Sequence, residues 1–214
     1  MDISDAVTSW LLDADPAIRW QVQRDVLDTA PAQWQSTRAR VAREGFGAAL
    51  LAEQDPEGTW AGGAFFPAGF DSPETEAPGQ PWVATTWALK DLREWGVDAA
   101  VLGDTAQRLD AGCRWDYDDL PYSNRHRYSA LAALDYFREA ALFDGSGLVD
   151  GRPDARLTDA VEMVRAARQP DGTWVQTAPL AGRTWFDVDV AEGEPSRWLT
   201  SFGTRVLKWW DAAA

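Results

Sequence analysis

Apolar positions recur at helical spacing along most of the chain, and strand-like alternation is scarce. Asp5 to Leu12 reads as a short helix. Asp15-Pro16 supplies an N-cap with proline in the first turn. The helix it opens runs to about Asp28, with Ala17, Trp20, Val22, Val26 and Leu27 on its inner face. Pro31 starts another helix, reaching about Glu44, and Gly47 to Glu53 forms an outer one. Residues 54–80 make a long loop rich in glycine, proline and aromatic residues. Pro81 to Trp95 is helical and ends at Gly96; Asp104 to Ala111 is a shorter helix; residues 112–123 are irregular. Arg125 to Ala140 is helical, with Leu131, Leu134 and Phe137 spaced for burial. After a turn from Gly145 to Gly151, Pro153 to Arg168 is an outer helix and residues 169–195 a second long loop. Ser196 to Ala213 is the last helix.

Two parts of this pattern repeat. Gln54-Asp-Pro-Glu-Gly-Thr-Trp60 returns as Gln169-Pro-Asp-Gly-Thr-Trp174, and the helix carrying Thr85, Thr86, Trp87, Leu92 and Trp95 returns as Thr200, Ser201, Phe202, Leu207 and Trp210. The two Gln residues and the two helices share one offset of 115 positions. A repeat of this kind predicts helical hairpins stacked side by side. Within each turn a Gln can bond orphan backbone groups at a helix end, a Gly supplies positive φ, and a Trp covers the turn with an apolar face.

The Gln…Gly-x-Trp element resembles the Gln-Trp repeat of the squalene-hopene cyclase and prenyltransferase α/α-toroid superfamily. The wider chain resembles its small bacterial squalene-cyclase-like proteins. Further residues that carry the likeness are Trp10-Leu-Leu, Asp15 to Trp20, Phe66-Pro-Ala-Gly69, Gly79-Gln-Pro-Trp82, Ala133 to Phe137 and Pro195-Ser-Arg-Trp198. The resemblance implies one all-α domain over residues 1–214, a small or incomplete α/α-toroid with N-terminal helices in 1–46 and repeated hairpins in 47–214. Three hairpins, from Gly47, Asp104 and Pro153, are fewer than the six or so of a complete toroid. The chain therefore reads as a shortened member, whose ring a protein partner or a second copy could complete.

Composition narrows the function. The net charge of −14 argues against nucleic acid and against an anionic membrane surface. No apolar run approaches a membrane span, and Met-Asp-Ile-Ser-Asp has no basic region ahead of an apolar run, so a cytoplasmic location is expected. The single Cys113 excludes an intramolecular disulfide and reads as a small buried hydrophobe. Thirteen Trp exceed what a core of this size ordinarily needs. Most belong to the core, but a few around a central cavity could stack on a ligand or stabilise a cation. The inner-ring positions Trp82, Trp87, Tyr128 and Trp198 are the expected cavity walls.

Trp115-Asp116-Tyr117-Asp118-Asp119 has the spacing of the Asp-x-Asp-Asp motif of class II terpene cyclases, in which the middle Asp protonates an alkene or epoxide. That chemistry needs a carboxyl kept protonated by its neighbours and by burial. Leu120-Pro121-Tyr122 follows here, where those cyclases run into a helix of small residues. Asp118, with Asp116 and Asp119, is thus open to three readings: a protonating acid, cavity carboxylates in another role, or a solvated loop. His126, the only His, is either a general base or an ordinary hydrogen-bonded side chain. No Cys/His cluster, phosphate loop, dinucleotide fingerprint or Gly-x-Ser-x-Gly elbow occurs, so neither a metal nor a cofactor is expected. Asp71, Glu74 and Glu76 in the first loop, and Asp187, Asp189, Glu192 and Glu194 in the second, precede inner-helix starts, where negative charge is favourable. Two such acidic, Trp-bearing loops would make a mouth for a cationic ligand, with Asp71 and Glu192 as representative contacts.

Two functions fit this reading. One is a small cyclase-like enzyme of secondary metabolism that closes a ring in a small molecule, through a carbocation or through an intramolecular amine displacement. The other is a non-catalytic protein that sequesters an apolar or cationic small molecule.

Overall fold

The structure is a computed structural model. It describes residues 3–70, 81–102, 157–177 and 182–212, with the helical positions Leu131, Leu134, Asp135, Arg138 and Glu139. The described chain is mostly helical, as expected of an all-α protein. The helices are α1 (Asp5–Leu12), α2 (Pro16–Asp25), α3 (Pro31–Arg40), α4 (Gly45–Ala52), α5 (Thr85–Trp95), α6 (Thr158–Ala166) and α7 (Arg197–Asp211). A 3-10 turn covers Ala99–Leu102, and β1 (Trp174–Val175) pairs antiparallel with β2 (Pro195–Ser196).

Local chemistry explains the helix ends. Asp15 caps α2 by accepting from Ala17 N at 2.8 Å, and its second oxygen accepts from Phe46 N at 2.8 Å, so one carboxylate starts α2 and α4 together. Gly45 at φ +62° allows that approach, since a Cβ there would stand 1.8 Å from Asp15 Oδ2. α3 stops at Arg40 rather than near Glu44. Pro81 to Ala84 form a turn ahead of α5 rather than its first residues, and their backbone bonds the second loop: Trp82 N donates to Arg183 O at 2.8 Å and Val83 O accepts from Trp185 Nε1 at 3.1 Å.

The repeat is realised in atoms. Trp60 Nε1 donates to Leu50 O at 2.8 Å, and Trp174 Nε1 to Val164 O at 2.9 Å. Trp60 N donates to Thr85 Oγ1 at 3.0 Å, and Trp174 N to Thr200 Oγ1 at 2.9 Å. Each Trp thus pins the helix before its turn (α4 or α6) to the helix after the loop (α5 or α7). The two Gln residues, however, are not counterparts within these turns. Gln169 N closes on Thr173 O as Asp55 N closes on Thr59 O, so the turns align at an offset of 114 while the helices keep 115. The role of Gln54, whose Nε2 donates to Gly58 O, falls to Arg168, whose Nε reaches Gly172 O.

The apolar core has two main parts. One gathers Leu11, Ile18, Trp20, Leu50, Trp60, Leu92 and Trp95; the other gathers Leu131, Leu134, Val161, Trp174 and Leu207. A charged cluster lies where α2, α7 and positions 135–138 meet. The buried Arg205 donates to Gln21 Oε1 at 2.7 Å, to Asp25 Oδ2 at 3.1 Å and to both oxygens of Asp135. Arg138, also buried, donates to Asp135 at 3.0 Å, and Arg24 grips Asp25 with two bonds. Gln21 adds α5 by donating to Glu94 O at 3.2 Å.

Burial alone would raise the Asp25 carboxyl, but the bonds and charge of Arg24, with Arg138 and Arg205, hold it below the ordinary Asp value. The stability tied to its ionisation is therefore full above the ordinary carboxyl pKa and lost as pH falls through the depressed one. Asp25→Asn should unfold more easily than the parent in urea at neutral pH, with the difference shrinking in strong acid. Arg205→Met should cost about 3–5 kcal/mol at neutral pH, since it leaves buried carboxylates uncompensated. For the repeat, Thr85→Val and Thr200→Val should each cost about 1–3 kcal/mol in urea unfolding, the penalty for leaving a buried N–H without an acceptor.

Candidate functional site

A cavity of about 740 Å³ opens between α1, the start of α2, the second loop and the first turn of α7. Its apolar walls include Trp10, Ile18, Phe46, Val188 and Trp198, and its acids are Asp15, Asp171, Asp187, Asp189 and Glu194. The walls are fixed by bonds made elsewhere. Trp198 Nε1 donates to Val188 O at 3.0 Å, and Phe46 stacks on Phe186 at 6.1 Å, which pins the loop to α4. A second cavity of about 420 Å³, lined by Trp82, Trp95 and Trp185, shares Asp187 to Val190 and Trp198 with the first. That loop segment is the partition between them.

Asp189 differs from the other acids of the cavity. Asp15 is engaged at two helix starts, and Asp171 is held by the backbone and hydroxyl of Thr173, which keep its carboxyl below the ordinary value. Asp189 is half-buried and accepts through Oδ2 from Ser196 Oγ at 2.9 Å and from Gln176 Nε2 at 3.0 Å. Burial raises its carboxyl above the ordinary range, and the bonds from Ser196, Val190 N and Gln176 offset only part of that. Ser196 Oγ also accepts from Leu199 N at 3.0 Å, so the α7 N-cap links the helix to Asp189. Among the described residues Asp189 has no Lys or Arg partner.

Arg197, at the first position of α7, supplies the positive charge among the cavity's lining residues. Its guanidinium lies over the Trp10 ring, 5.1 Å from the centroid, and its Nε is buried without a hydrogen-bond partner.

The sequence-predicted residues fall in different places. Trp198 lines both cavities and Trp82 lines the smaller one. Trp87 is buried against Trp82 in an edge contact at 5.0 Å and donates to Phe65 O at 3.1 Å, a packing role. Glu192 is exposed on the turn before β2, and its neighbours Glu194 and Asp189 line the cavity instead. Asp116, Asp118, Asp119, His126, Tyr128 and Asp71 lie outside the described residues. Sequence reading placed Asp189 among the acids of the expected mouth without setting it apart from its neighbours, and did not offer Trp10 as a ligand contact. The signal available was the Pro195-Ser-Arg-Trp198 segment, which sets an N-cap, a cation and an indole at one helix start.

Among the described residues no group of three or more His, Cys, Asp or Glu is placed to hold a metal ion, and no helix is long and apolar enough to cross a membrane. Comparison with protein-family models, with curated proteins and with solved structures gives no match.

Because Asp189 is raised, its contribution to stability is full below the ordinary Asp pKa and lost as pH rises through the raised value. At neutral pH the ionised, half-buried carboxyl therefore carries a cost. Asp189→Asn, which keeps an acceptor for Ser196 and Gln176, should raise the thermal midpoint at neutral pH by about 1–3 °C, an effect kept small by partial solvent screening. The gain should vanish in acid.

Proposed function

We propose that the protein holds an apolar, amine-bearing small molecule in the cavity between Trp10 and Trp198, with Asp189 as counter-ion to the amine. The observation that carries this reading is a half-buried carboxylate, destabilised by desolvation and without a basic partner among the described residues, in the wall of an aromatic cavity. A perturbed carboxyl in a cleft is the usual mark of a functional group. A cation beside it would regain the lost solvation, and indole faces would add to the attraction. The paired Trp turns support a small or incomplete α/α-toroid as the frame, and the acidic charge suits a cytoplasmic protein with no nucleic-acid partner.

The enzymatic form of the proposal is ring closure, and the raised Asp189 is what favours it. A carboxylate of raised pKa is a better proton acceptor. With the amine bound in its neutral form, the carboxylate could take the proton released as the nitrogen lone pair displaces a leaving group on the same folded molecule, which departs with its bonding electrons. In the carbocation alternative, Asp118 with Asp116, Asp119 and His126 is the acid set that the cyclase resemblance puts forward.

Calorimetry with an amine, a neutral analogue and a diphosphate sharing one hydrocarbon body tests the assignment. The amine should bind about ten-fold or more tightly than the neutral analogue, a difference of about 1.4 kcal/mol. Asp189→Asn should erase that preference. Preference for the diphosphate would overturn the reading, and a ring-closed product from the bound amine would establish the enzyme over the sequestering protein.

A further inference from the structure

The cavity holds an unused cation as well as carboxylates. Arg197 shares the site with five acidic side chains, yet forms no ion pair with any of them. Its guanidinium lies over Trp10, and its Nε is buried without an acceptor. A buried unpaired donor is costly, more so when charged, so such a group calls for an explanation. Cation–π contact with Trp10 offers attraction but no hydrogen-bond acceptor in the ring plane, leaving the planar fork free for one.

Arg205 and Arg138, the arginines fully buried among the described residues, each meet a carboxylate. Arg205 is surrounded by Gln21, Asp25 and Asp135, and Arg138 bonds Asp135. Among the described residues Arg19 Nε and Arg138 Nη2 are also buried without a hydrogen bond, but of these three arginines Arg197 is the one that lines the cavity. Arg197, on the cavity wall, is left with an indole on one side and open cavity on another. A planar fork of this kind matches a carboxylate, which it can grip with two bonds.

We propose that the ligand is zwitterionic: an amine that meets Asp189 and a carboxylate that meets Arg197, joined to an apolar body that packs on Trp10 and Trp198. This rests on the amine-binding reading and adds the second charged group. Opposite charges at two points fix a small molecule's orientation in a way that one ion pair and an aromatic wall do not. Arg197 is thus the specificity-determining residue, separating amino acids and their derivatives from simple amines.

Three indole compounds separate the possibilities: tryptophan with both charges, tryptamine with the amine alone, and indole-3-propionate with the carboxylate alone. Titrated calorimetrically into the full chain, tryptophan should bind at least about ten-fold more tightly than tryptamine, with indole-3-propionate weakest. Arg197→Gln should bring tryptophan down to the level of tryptamine. Arg197→Lys, which keeps the charge without the fork, should recover only part of the preference, and thermal unfolding of both variants would show whether each is folded. Tryptamine binding as tightly as tryptophan to the parent protein would overturn the zwitterion proposal while leaving the amine site standing. Tightest binding of indole-3-propionate would overturn the amine site itself.

Discussion

Arg205 ties α7 to α2 and to the helical segment at Asp135. Its guanidinium reaches Gln21 and Asp25 on α2 and Asp135 on that segment, and Gln21 carries the connection on to α5. Buried charge is expensive, and pairing recovers the cost only when every partner is in place. The cluster therefore penalises any displacement of one helix against the others more sharply than apolar packing would. It also occupies the convergence of α2, α5 and α7. The principal cavity lies elsewhere, among loop residues and helix starts.

The Trp turns extend this arrangement outward. Trp60 and Trp174 each fasten the helix before the turn to its successor with an indole bond and a threonine bond. In the second unit the loop between them is drawn in by β1 and β2, and by the contact of Phe186 with Phe46. Asp189 is carried to the cavity wall on that loop and fixed there by Ser196, the residue that caps α7. The same capping that begins the helix thus places the carboxylate whose ionisation burial disfavours.

What was legible in the sequence was local. Asp15-Pro16 announced α2, and the Gln-to-Trp segments announced two equivalent turns, because caps, positive φ and a covering indole are properties of a few adjacent residues. The one-residue shift inside the second turn was hidden, since Arg168 does with its guanidinium what Gln54 does with its amide. Pro81 to Ala84 carried a helical pattern, but they form a turn outside α5, tied by a non-local bond to Arg183. The Arg205 cluster joins residues far apart in the chain and has no local signature. Asp189 was one acid among four in its loop, and only the approach of Gln176 and Ser196 distinguishes it.

The central claim is that Asp189 is the counter-ion of a bound cation. Proton linkage tests it most directly. A cation beside a carboxyl of raised pKa lowers that pKa, so binding must release a proton across the acidic range in which the free site titrates. Calorimetry of tryptamine binding in two buffers of different ionisation heat reads that proton as a difference in apparent enthalpy. The account predicts such a difference in the parent protein and none in Asp189→Asn. Binding with the same enthalpy in both buffers across that range would contradict it.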